Sequence, residues 1–309
     1  MKILIIGCGY FGSSIFKYLS QFPEYQIDIC DTCWFGEGAA NINKMYYFYL
    51  FQRDLSQYDA IILTAGHSSV QLVQNDYSGA IWNNLINFLG LLKKINPDQK
   101  FIYCSSSSVY GGLEGEYFLE TEKKYVCLNA YDLLKYECDL HTSLTDKMCF
   151  GLRLGTLSGG LGSILRVDTM CNGFFNSYKT KGSIDVFNGF IRRPIAGIND
   201  TCRAIHAILE KGNHENKGIY NIASFNTSVQ KLAEQYAKIL NCPINYHPNT
   251  PSPYNFTVNT SKFILNFDFE YQDTVKSIIK SLDDNWNNII NKGVRDRVPD
   301  RSKVTEKYV

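Results

Sequence analysis

The first twelve residues constrain the fold of this chain more than any other stretch. Residues 3–6 read ILII, an apolar run without polar alternation, which is typical of a strand buried on both faces of a parallel sheet. Residues 7–12 then read GCGYFG, a G-x-G-x-x-G placed where a strand would pass into a helix. Glycines at these positions permit a tight turn and a close backbone approach to a pyrophosphate. We therefore predict a dinucleotide-binding loop made of Gly7, Gly9, Tyr10, Phe11 and Gly12, with a purely structural turn as the alternative.

A carboxylate follows the second predicted strand. This strand covers residues 25–30 and ends in Asp31, close to the distance of about 20 residues at which dinucleotide folds carry an acidic residue. Such a carboxylate accepts hydrogen bonds from the adenosine ribose hydroxyls and repels the additional phosphate of NADP. We therefore predict NAD rather than NADP as the cofactor.

Charge and composition exclude several classes of partner. The 309-residue chain carries a net charge of +1, so no basic field indicates a nucleic acid or an anionic membrane. No apolar run approaches the ~18 residues that a membrane span requires, and Met1 leads into the first strand without a targeting signal. Ten scattered cysteines are typical of a reducing cytoplasm. The histidines show no metal-ligand spacing, so we predict no metal site.

Strands and helices are predicted to alternate along the chain, which indicates βαβ units and a parallel sheet. Further strands are predicted at residues 45–51, 58–65, 100–104 and 148–154, with helices at 76–95 and 129–143 and no long helix between 155 and 199. Such sheets bind ligands at the carboxyl ends of their strands. We therefore expect one rim to hold the residues that follow the strand ends: Gly7, Asp31, Gly66, Ser105, Ser106 and Arg153.

A serine-rich strand end and a tyrosine–lysine pair supply the candidate chemistry. Residues 104–111 read CSSSSVYG, and Tyr131 and Lys135 stand four positions apart on one face of a predicted helix. A phenol is a weak base at neutral pH, but an adjacent ammonium and a cationic nicotinamide stabilise the phenolate. We predict that Tyr131 exchanges a proton with a substrate hydroxyl and that a serine binds the same oxygen. The alternative is an ordinary surface pair in a chain with 21 tyrosines.

The order of these motifs resembles the extended short-chain dehydrogenase/reductase family, within it the NAD-dependent nucleotide-sugar epimerase/dehydratase group. The resemblance covers roughly residues 1–225. It implies an α/β fold, namely a Rossmann-type doubly wound parallel sheet with a smaller, interleaved C-terminal substrate-binding region. We assign residues 1–165, together with 195–225, to the NAD-binding domain and residues 166–194 and 226–292 to the substrate-binding region. Residues 293–309 form a charged tail.

The resemblance implies roles for residues around the cofactor. The family's S-S-x-x-V-Y-G strand end places its catalytic Ser or Thr at Ser106, and its Y-x-x-x-K falls on Tyr131 and Lys135, which also hold the nicotinamide end of the cofactor. Residues 53–55, RDL, resemble the family's G-D-L. The remaining residues that the resemblance assigns to the cofactor are Asp54, Leu55, Ala65, Gly66 and Asn84.

On the substrate side, residues 185–194 resemble the family segment whose arginine binds the substrate diphosphate. This implies that role for Arg193, whose planar guanidinium suits bidentate contacts, with a surface arginine as the alternative. Thr156 stands where an Asn commonly helps to hold the sugar nucleotide. Ser107 and Ser108 are implied to face the substrate, where the family's 4,6-dehydratases carry Asp and Glu. Because serine hydroxyls are poor general acids and bases near neutral pH, dehydration is predicted to be absent.

Together these features predict an NAD-dependent epimerase that oxidises and re-reduces one carbon of a nucleotide-activated sugar. A keto-sugar reductase or dehydratase of the same family is one alternative. A non-catalytic NAD-binding regulator is an alternative of another class. Members of the family commonly pair through the helices predicted here at residues 76–95 and 129–143, so the resemblance also implies a homodimer.

Overall fold

Strands and helices alternate in the folded chain. The computed structural model describes residues 1–34, 43–44, 53–113, 115–122, 125–250, 252, 254–288 and 290–291. In those ranges the strands are β1 (Lys2–Ile6), β2 (Gln26–Asp31), β3 (Asn43–Lys44), β4 (Ala60–Leu63), β5 (Lys100–Ser106), β6 (Tyr117–Phe118), β7 (Cys149–Leu154), β8 (Thr156–Ser158), β9 (Ile164–Leu165), β10 (Ile184–Val186), β11 (Arg192–Gly197), β12 (Gly218–Ile222), β13 (Phe225–Ser228), β14 (Ile244–Tyr246), β15 (Thr257–Val258) and β16 (Ile290–Asn291). The α-helices are α1 (Tyr10–Leu19), α2 (Val70–Asn75), α3 (Tyr77–Ala80), α4 (Asn87–Lys94), α5 (Ala130–Leu144), α6 (Met170–Lys181), α7 (Ile198–Lys211), α8 (Val229–Leu240), α9 (Ser261–Phe267) and α10 (Val275–Asn285).

Seven of these strands form one parallel sheet in the order β12-β7-β5-β4-β1-β2-β3. In its register, Ile5 of β1 lies opposite Ile29 of β2 on one side and Ile62 of β4 on the other. The strand order reverses beside β1, and such a switch point opens a crevice at the carboxyl ends of the strands. The predicted Rossmann-type doubly wound parallel sheet is confirmed.

Strand β1 packs on both of its faces. Ile3 and Ile5 belong to the apolar core that includes side chains of α1 and α7. Leu4 and Ile6 point to the opposite face and join a second core with side chains of α4. None of the four is more than 4% exposed, so the absence of polar alternation in residues 3–6 follows from burial on both faces.

The helix predicted at residues 76–95 is longer and less regular than its apolar stripe indicates. It begins with α2 and is interrupted at Asp76, whose side chain accepts a hydrogen bond of 3.2 Å from the N–H of Gly79 and so caps α3. A π-helical turn, Ile81–Ile86, then leads into α4. The prediction begins this helix at residue 76, where Asp76 caps α3, and it does not include α2, the short helix that precedes this cap.

The expectation of no long helix between residues 155 and 199 is wrong, because α6 occupies part of that segment. Its buried positions are Cys171, Asn172, Phe174 and Phe175. Asn172 is fully buried because it donates hydrogen bonds to the hydroxyl of Tyr10 and to the carbonyl of Arg166. Because Asn172 is polar, the buried positions of α6 do not form the continuous apolar i, i+3, i+4 pattern from which a helix is predicted.

Smaller sheets follow the main one in the second half of the chain. β8, β11 and β13 form a three-stranded sheet, and β10 pairs with β14. The predicted strand at 45–51 and the tail at 293–309 lie outside the described residues, and the proposed domain division remains a prediction. Among the described helices, none combines the length and apolar character needed to cross a membrane.

Candidate active site

A cavity of about 290 Å³ opens at the carboxyl ends of the central strands. Because parallel strands end at the same edge of the sheet, motifs that are far apart in sequence meet there. The cavity walls include the following residues singled out from the sequence: Gly7, Gly9, Tyr10, Phe11, Gly12, Asp31, Ala65, Gly66, Ser105, Ser106, Tyr131, Lys135 and Thr156.

The glycine loop leaves no room for side chains at two of its three glycines. A Cβ on Gly7, whose φ is +96°, would lie 2.4 Å from the backbone nitrogen of Ala65, and one on Gly12 would lie 1.9 Å from the carbonyl oxygen of Gly7. A Cβ on Gly9, by contrast, would meet no atom within 4 Å. Gly9 immediately precedes α1, so the open space lies at a helix N-terminus, where free N–H groups favour phosphate. This arrangement fits a dinucleotide.

Asp31 lies at the end of β2 and faces the cavity. Its carboxylate accepts hydrogen bonds from the backbone N–H of Cys8, in the glycine loop, and from that of Cys33, the latter at 2.5 Å. Burial raises the pKa of Asp31, although these two N–H groups oppose the effect. The carboxylate thus connects the glycine loop to the chain that leaves β2.

Ser106, Tyr131 and Lys135 all line the cavity. The Lys135 Nζ donates a hydrogen bond of 2.7 Å to the carbonyl oxygen of Cys104 and lies 5.9 Å from the centroid of the Tyr131 ring. Helix α5, which carries both residues, begins after Asn129, whose side chain accepts the N–H of Asp132 at 3.0 Å. The capped first turn of α5 therefore fixes Tyr131 close to the end of β5.

Ser107 and Ser108 lie beside the cavity but are not among its lining residues. Ser107 is only 5% exposed. The Ser108 hydroxyl lies 2.8 Å from that of Ser106 and donates a hydrogen bond of 2.6 Å to the carboxylate of Asp132. The implied contact of both serines with substrate remains a prediction.

Three further residues assigned to the cofactor also lie outside the cavity lining. Asn84 holds the backbone of His67 through two hydrogen bonds of 2.7 and 2.9 Å and so supports the loop after β4. Leu55 is 1% exposed and packs in the core, whereas Asp54 is on the surface and accepts the N–H of Ser56 at 2.9 Å. Their roles in cofactor binding remain predictions.

Arg153 does not lie on the rim, so that expectation is wrong. Its side chain is buried and pairs with Asp139 of α5 at 2.7 Å. Its guanidinium also donates hydrogen bonds to the hydroxyls of Tyr110 and Tyr125 at 2.8 and 2.6 Å. Strand β7 is flanked by β5 and β12, and a buried arginine there requires a carboxylate partner.

Arg193 is half-buried and forms no ion pair with any described residue. Its guanidinium lies 5.7 Å from the centroid of the Tyr254 ring, and its Nη2 donates a long hydrogen bond of 3.4 Å to Ser252. Burial lowers the pKa of Arg193 to about 10. A partly desolvated cation without a carboxylate is suited to an anionic ligand, although Arg193 is not part of the cavity lining.

The sequence analysis missed Arg166, which lines the cavity. Its guanidinium makes two hydrogen bonds to Asp168, of 3.0 and 2.8 Å, and a third of 3.1 Å to the carbonyl oxygen of Ser68. These contacts join β9 and the residues after it to the loop that follows β4. The only signal in the sequence is the R-x-D spacing at residues 166–168.

Three buried polar atoms of the lining have no hydrogen-bond partner among the described residues. They are Nε1 of Trp34, Oγ of Ser105 and Oγ1 of Thr169. Buried polar atoms are rarely left unpaired in folded proteins, so these atoms favour a polar ligand in the cavity. Together with the space at Gly9 and the carboxylate of Asp31, they fit NAD.

Known proteins share the family pattern and the fold of this chain. The model of the NAD dependent epimerase/dehydratase family matches residues 3–223. A search of curated protein sequences finds no match.

Solved structures with the same fold include UDP-glucuronic acid 4-epimerase from Bacillus cereus, in complex with UDP-glucuronic acid and NAD (19% identity, TM-score 0.75, covering 91% of this chain and 97% of that one). UDP-N-acetylglucosamine 4-epimerase from Methanobrevibacter ruminantium is also similar (17% identity, TM-score 0.80, 92% and 98% covered). A third is dTDP-glucose 4,6-dehydratase from Bacillus anthracis (18% identity, TM-score 0.75, 93% and 98% covered). At these identities the likeness shows the fold.

Proposed function

This chain belongs to the NAD-dependent epimerase/dehydratase family, and we propose that within it the chain is an epimerase of a nucleotide-activated sugar. One observation carries the proposal. The candidate catalytic residues Ser106, Tyr131 and Lys135 line the same cavity as the glycine loop and Asp31. A regulator that only senses NAD would not need a phenol and an ammonium at one end of the cavity.

When bound, NAD would accept the hydride in the oxidation and return it in the reduction. The glycine loop and the N-terminus of α1 would hold its phosphates, because free N–H groups and close backbone approach favour them. Asp31 would accept hydrogen bonds from the adenosine ribose. Lys135, held by the carbonyl of Cys104 at 2.7 Å, would hold the nicotinamide ribose.

In the proposed mechanism, Tyr131 removes the proton from a sugar hydroxyl. Lys135, whose Nζ lies 5.9 Å from the centroid of the Tyr131 ring, would place its positive charge beside the phenol, and Ser106 would hydrogen-bond the same sugar oxygen. The resulting keto-sugar then rotates within the cavity so that its other face is presented for reduction. Tyr131 returns its proton to the oxygen when the carbonyl is reduced on that face. The proposed cycle would therefore have no net consumption of the cofactor.

The substrate would extend from the cavity towards Arg193. A half-buried guanidinium that pairs with no carboxylate among the described residues is suited to a diphosphate, and Thr156 on the cavity wall would contact the sugar nucleotide. These two proposed contacts support a nucleoside diphosphate sugar as the substrate class and leave the base and the sugar open.

We also propose that two copies of the chain pair through the helices beside the sheet. Three side chains of α5, Leu133, Leu140 and Leu144, are 40%, 44% and 84% exposed, and Trp82 in the neighbouring π-helical turn is 60% exposed. Leu133, Leu140 and Leu144 stand at positions i, i+7 and i+11 and so lie on one face of α5, and α5 packs against the π-helical turn that carries Trp82. Exposed apolar surface of this kind is typical of an interface.

The proposed function is tested by incubating the purified protein with UDP-, dTDP- and GDP-sugars and identifying products by NMR. We expect one epimer pair to interconvert without added NADH. The Tyr131→Phe variant serves as the inactive control. If no nucleotide sugar is converted while NAD remains bound, the chain is not an epimerase of this class.

A further inference from the structure

Trp34 forms part of the cavity wall, although no motif in the sequence assigns it a role. It follows Asp31 and Thr32, which also line the cavity. Ala65, Gly66 and His67 of the loop after β4 line the same cavity. Trp34 therefore stands at the Asp31 end of the cavity.

The indole of Trp34 rests on a rigid support. Its ring meets that of His67 edge to face, with centroids 5.6 Å apart and planes at 80°. His67 is 1% exposed, its Nε2 lies 3.2 Å from the carboxylate of Asp76, and Asn84 holds its backbone. The Trp34 ring thus packs against His67, which is itself held in place by Asp76 and Asn84.

The indole nitrogen is buried and has no partner among the described residues. An indole N–H can only donate a hydrogen bond, and leaving a buried donor unpaired is costly. Because Trp34 lines the cavity, an acceptor on a ligand bound there would satisfy this donor. The carboxylate of Asp31 already accepts two backbone N–H groups, and the structure records no bond between it and the indole.

We infer that Trp34 donates its indole N–H to the adenosine half of NAD, as a positioning residue for the cofactor. The acceptor is an oxygen or ring nitrogen of the adenosine or an oxygen of the adjacent phosphate. The inference depends on NAD binding and does not depend on which sugar reaction the chain catalyses.

The first test observes the indole N–H groups of the wild-type protein by NMR. The chain has three tryptophans, and the signals are assigned with the Trp82→Phe and Trp286→Phe variants. Saturation with ADP-ribose should shift the Trp34 signal and leave that of Trp82, which is exposed, in place. Adenosine lacks the phosphate that AMP carries, so parallel titrations with the two distinguish an acceptor on the nucleoside from one on the phosphate. Nicotinamide mononucleotide, which lacks the adenosine half, should leave the Trp34 signal unchanged.

The second test measures affinity by calorimetry. Trp34→Phe keeps an aromatic ring and removes the donor, so NAD and ADP-ribose should both bind roughly three- to tenfold more weakly, as expected for one neutral hydrogen bond. Trp82→Phe should bind both as the wild type does. Melting curves without ligand check that each variant is folded.

Two results would overturn the inference: a Trp34 signal that ADP-ribose does not move, or wild-type affinity for NAD in Trp34→Phe. A shift caused by nucleotide sugars but not by ADP-ribose would also overturn it and would place Trp34 in the substrate site. Neither test requires turnover, so absence of epimerase activity would refute the proposed function and leave this inference standing.

Discussion

The Ser108 hydroxyl donates a hydrogen bond of 2.6 Å to the carboxylate of Asp132 and thereby ties the end of β5 to the first turn of α5. Asp132 directly follows Tyr131 and is fully buried. Its second oxygen accepts hydrogen bonds from Asn129 and Tyr254, each of 2.8 Å. The carboxylate thus fixes the helix that carries Tyr131 against the strand that carries Ser106.

Removal of the Asp132 carboxylate should destabilise the fold. Asp132→Ala removes the buried acceptor that Ser108, Asn129 and Tyr254 share, and we expect a loss of about 2–3 kcal/mol in the free energy of unfolding. The measurement is urea denaturation. The matched control is Asp283→Ala, because Asp283 pairs with Lys179 on the surface, where an ion pair contributes little; a loss as large as that of Asp132→Ala would contradict the argument.

Titration of the Asp132 carboxylate should make the free energy of unfolding depend on pH. Burial raises the pKa of Asp132 in the folded protein, so the folded state binds the proton more tightly than the unfolded state. The stability contributed by the protonated carboxyl is full below the ordinary aspartate value of about 3.9 and is lost as the pH rises through the raised pKa. The difference in unfolding free energy between wild type and Asp132→Asn should change in that window, and a constant difference would refute the assignment.

Tyr131→Phe should bind NAD and lose turnover. The substitution removes only the oxygen that exchanges the proton, so we expect a fall in kcat of roughly 10²- to 10⁴-fold with NAD affinity nearly unchanged. Calorimetry with NAD and product formation by NMR measure the two quantities. Tyr117→Phe, at an exposed position, is the control. A near-normal rate in Tyr131→Phe would remove Tyr131 from the mechanism.

The sequence predicts the main sheet well because the burial of its strands determines both the residues and the fold. Residues 3–6 and 60–63 are apolar throughout because they are buried on both faces. Helix α6 could not be predicted in this way, since Asn172 inside its stripe is buried by hydrogen bonds to Tyr10 and Arg166 that exist only in the folded chain.

In the candidate site, too, residues with a local sequence pattern could be predicted and residues that depend on tertiary contacts could not. Glycines and a Tyr–Lys pair carry fixed spacings, so the sequence indicates them directly. Trp34 and Arg166 belong to the site through tertiary contacts, with His67 in one case and with Ser68 in the other. No motif indicates Trp34, and the R-x-D spacing at residues 166–168 does not by itself place Arg166 in the cavity wall. Arg153 is predicted to lie on the rim because it stands near the end of a strand. In the structure its side chain is instead buried, where it pairs with Asp139.

Arg193→Ala should raise the KM for the nucleotide sugar about 10- to 100-fold, the range expected for losing charge-assisted hydrogen bonds to a phosphate. Stability should change little, because Arg193 pairs with no carboxylate among the described residues. The neighbouring Arg192→Ala is the control, since Arg192 is exposed and pairs with Glu116 at 2.8 Å. Equal effects of the two substitutions on KM would argue against a specific diphosphate contact.

The apolar surface of α5 and the π-helical turn should mediate pairing of two copies. We expect light scattering to give the mass of a dimer for the wild type and of a monomer for Leu140→Glu or Trp82→Glu, because a buried charge without a partner opposes association. Leu265→Glu is the control, since Leu265 is 80% exposed on α9, away from this surface. A monomeric wild type at micromolar concentration would reject the proposal.

The reaction type depends on which acids reach the substrate. Positions 107 and 108 hold serines, and the carboxylate in contact with Ser108, that of Asp132, is occupied by three donors. A dehydratase needs a free acid and base there to expel water, whereas an epimerase needs only the exchange of one hydroxyl proton with Tyr131. Epimerisation returns to the sugar the same hydride that was removed, so turnover in heavy water should place no deuterium on any sugar carbon. Mass spectrometry and NMR of the product decide the matter: deuterium on carbon, or a 4-keto-6-deoxy product, would refute simple epimerisation, because both require a carbanion that exchanges with solvent.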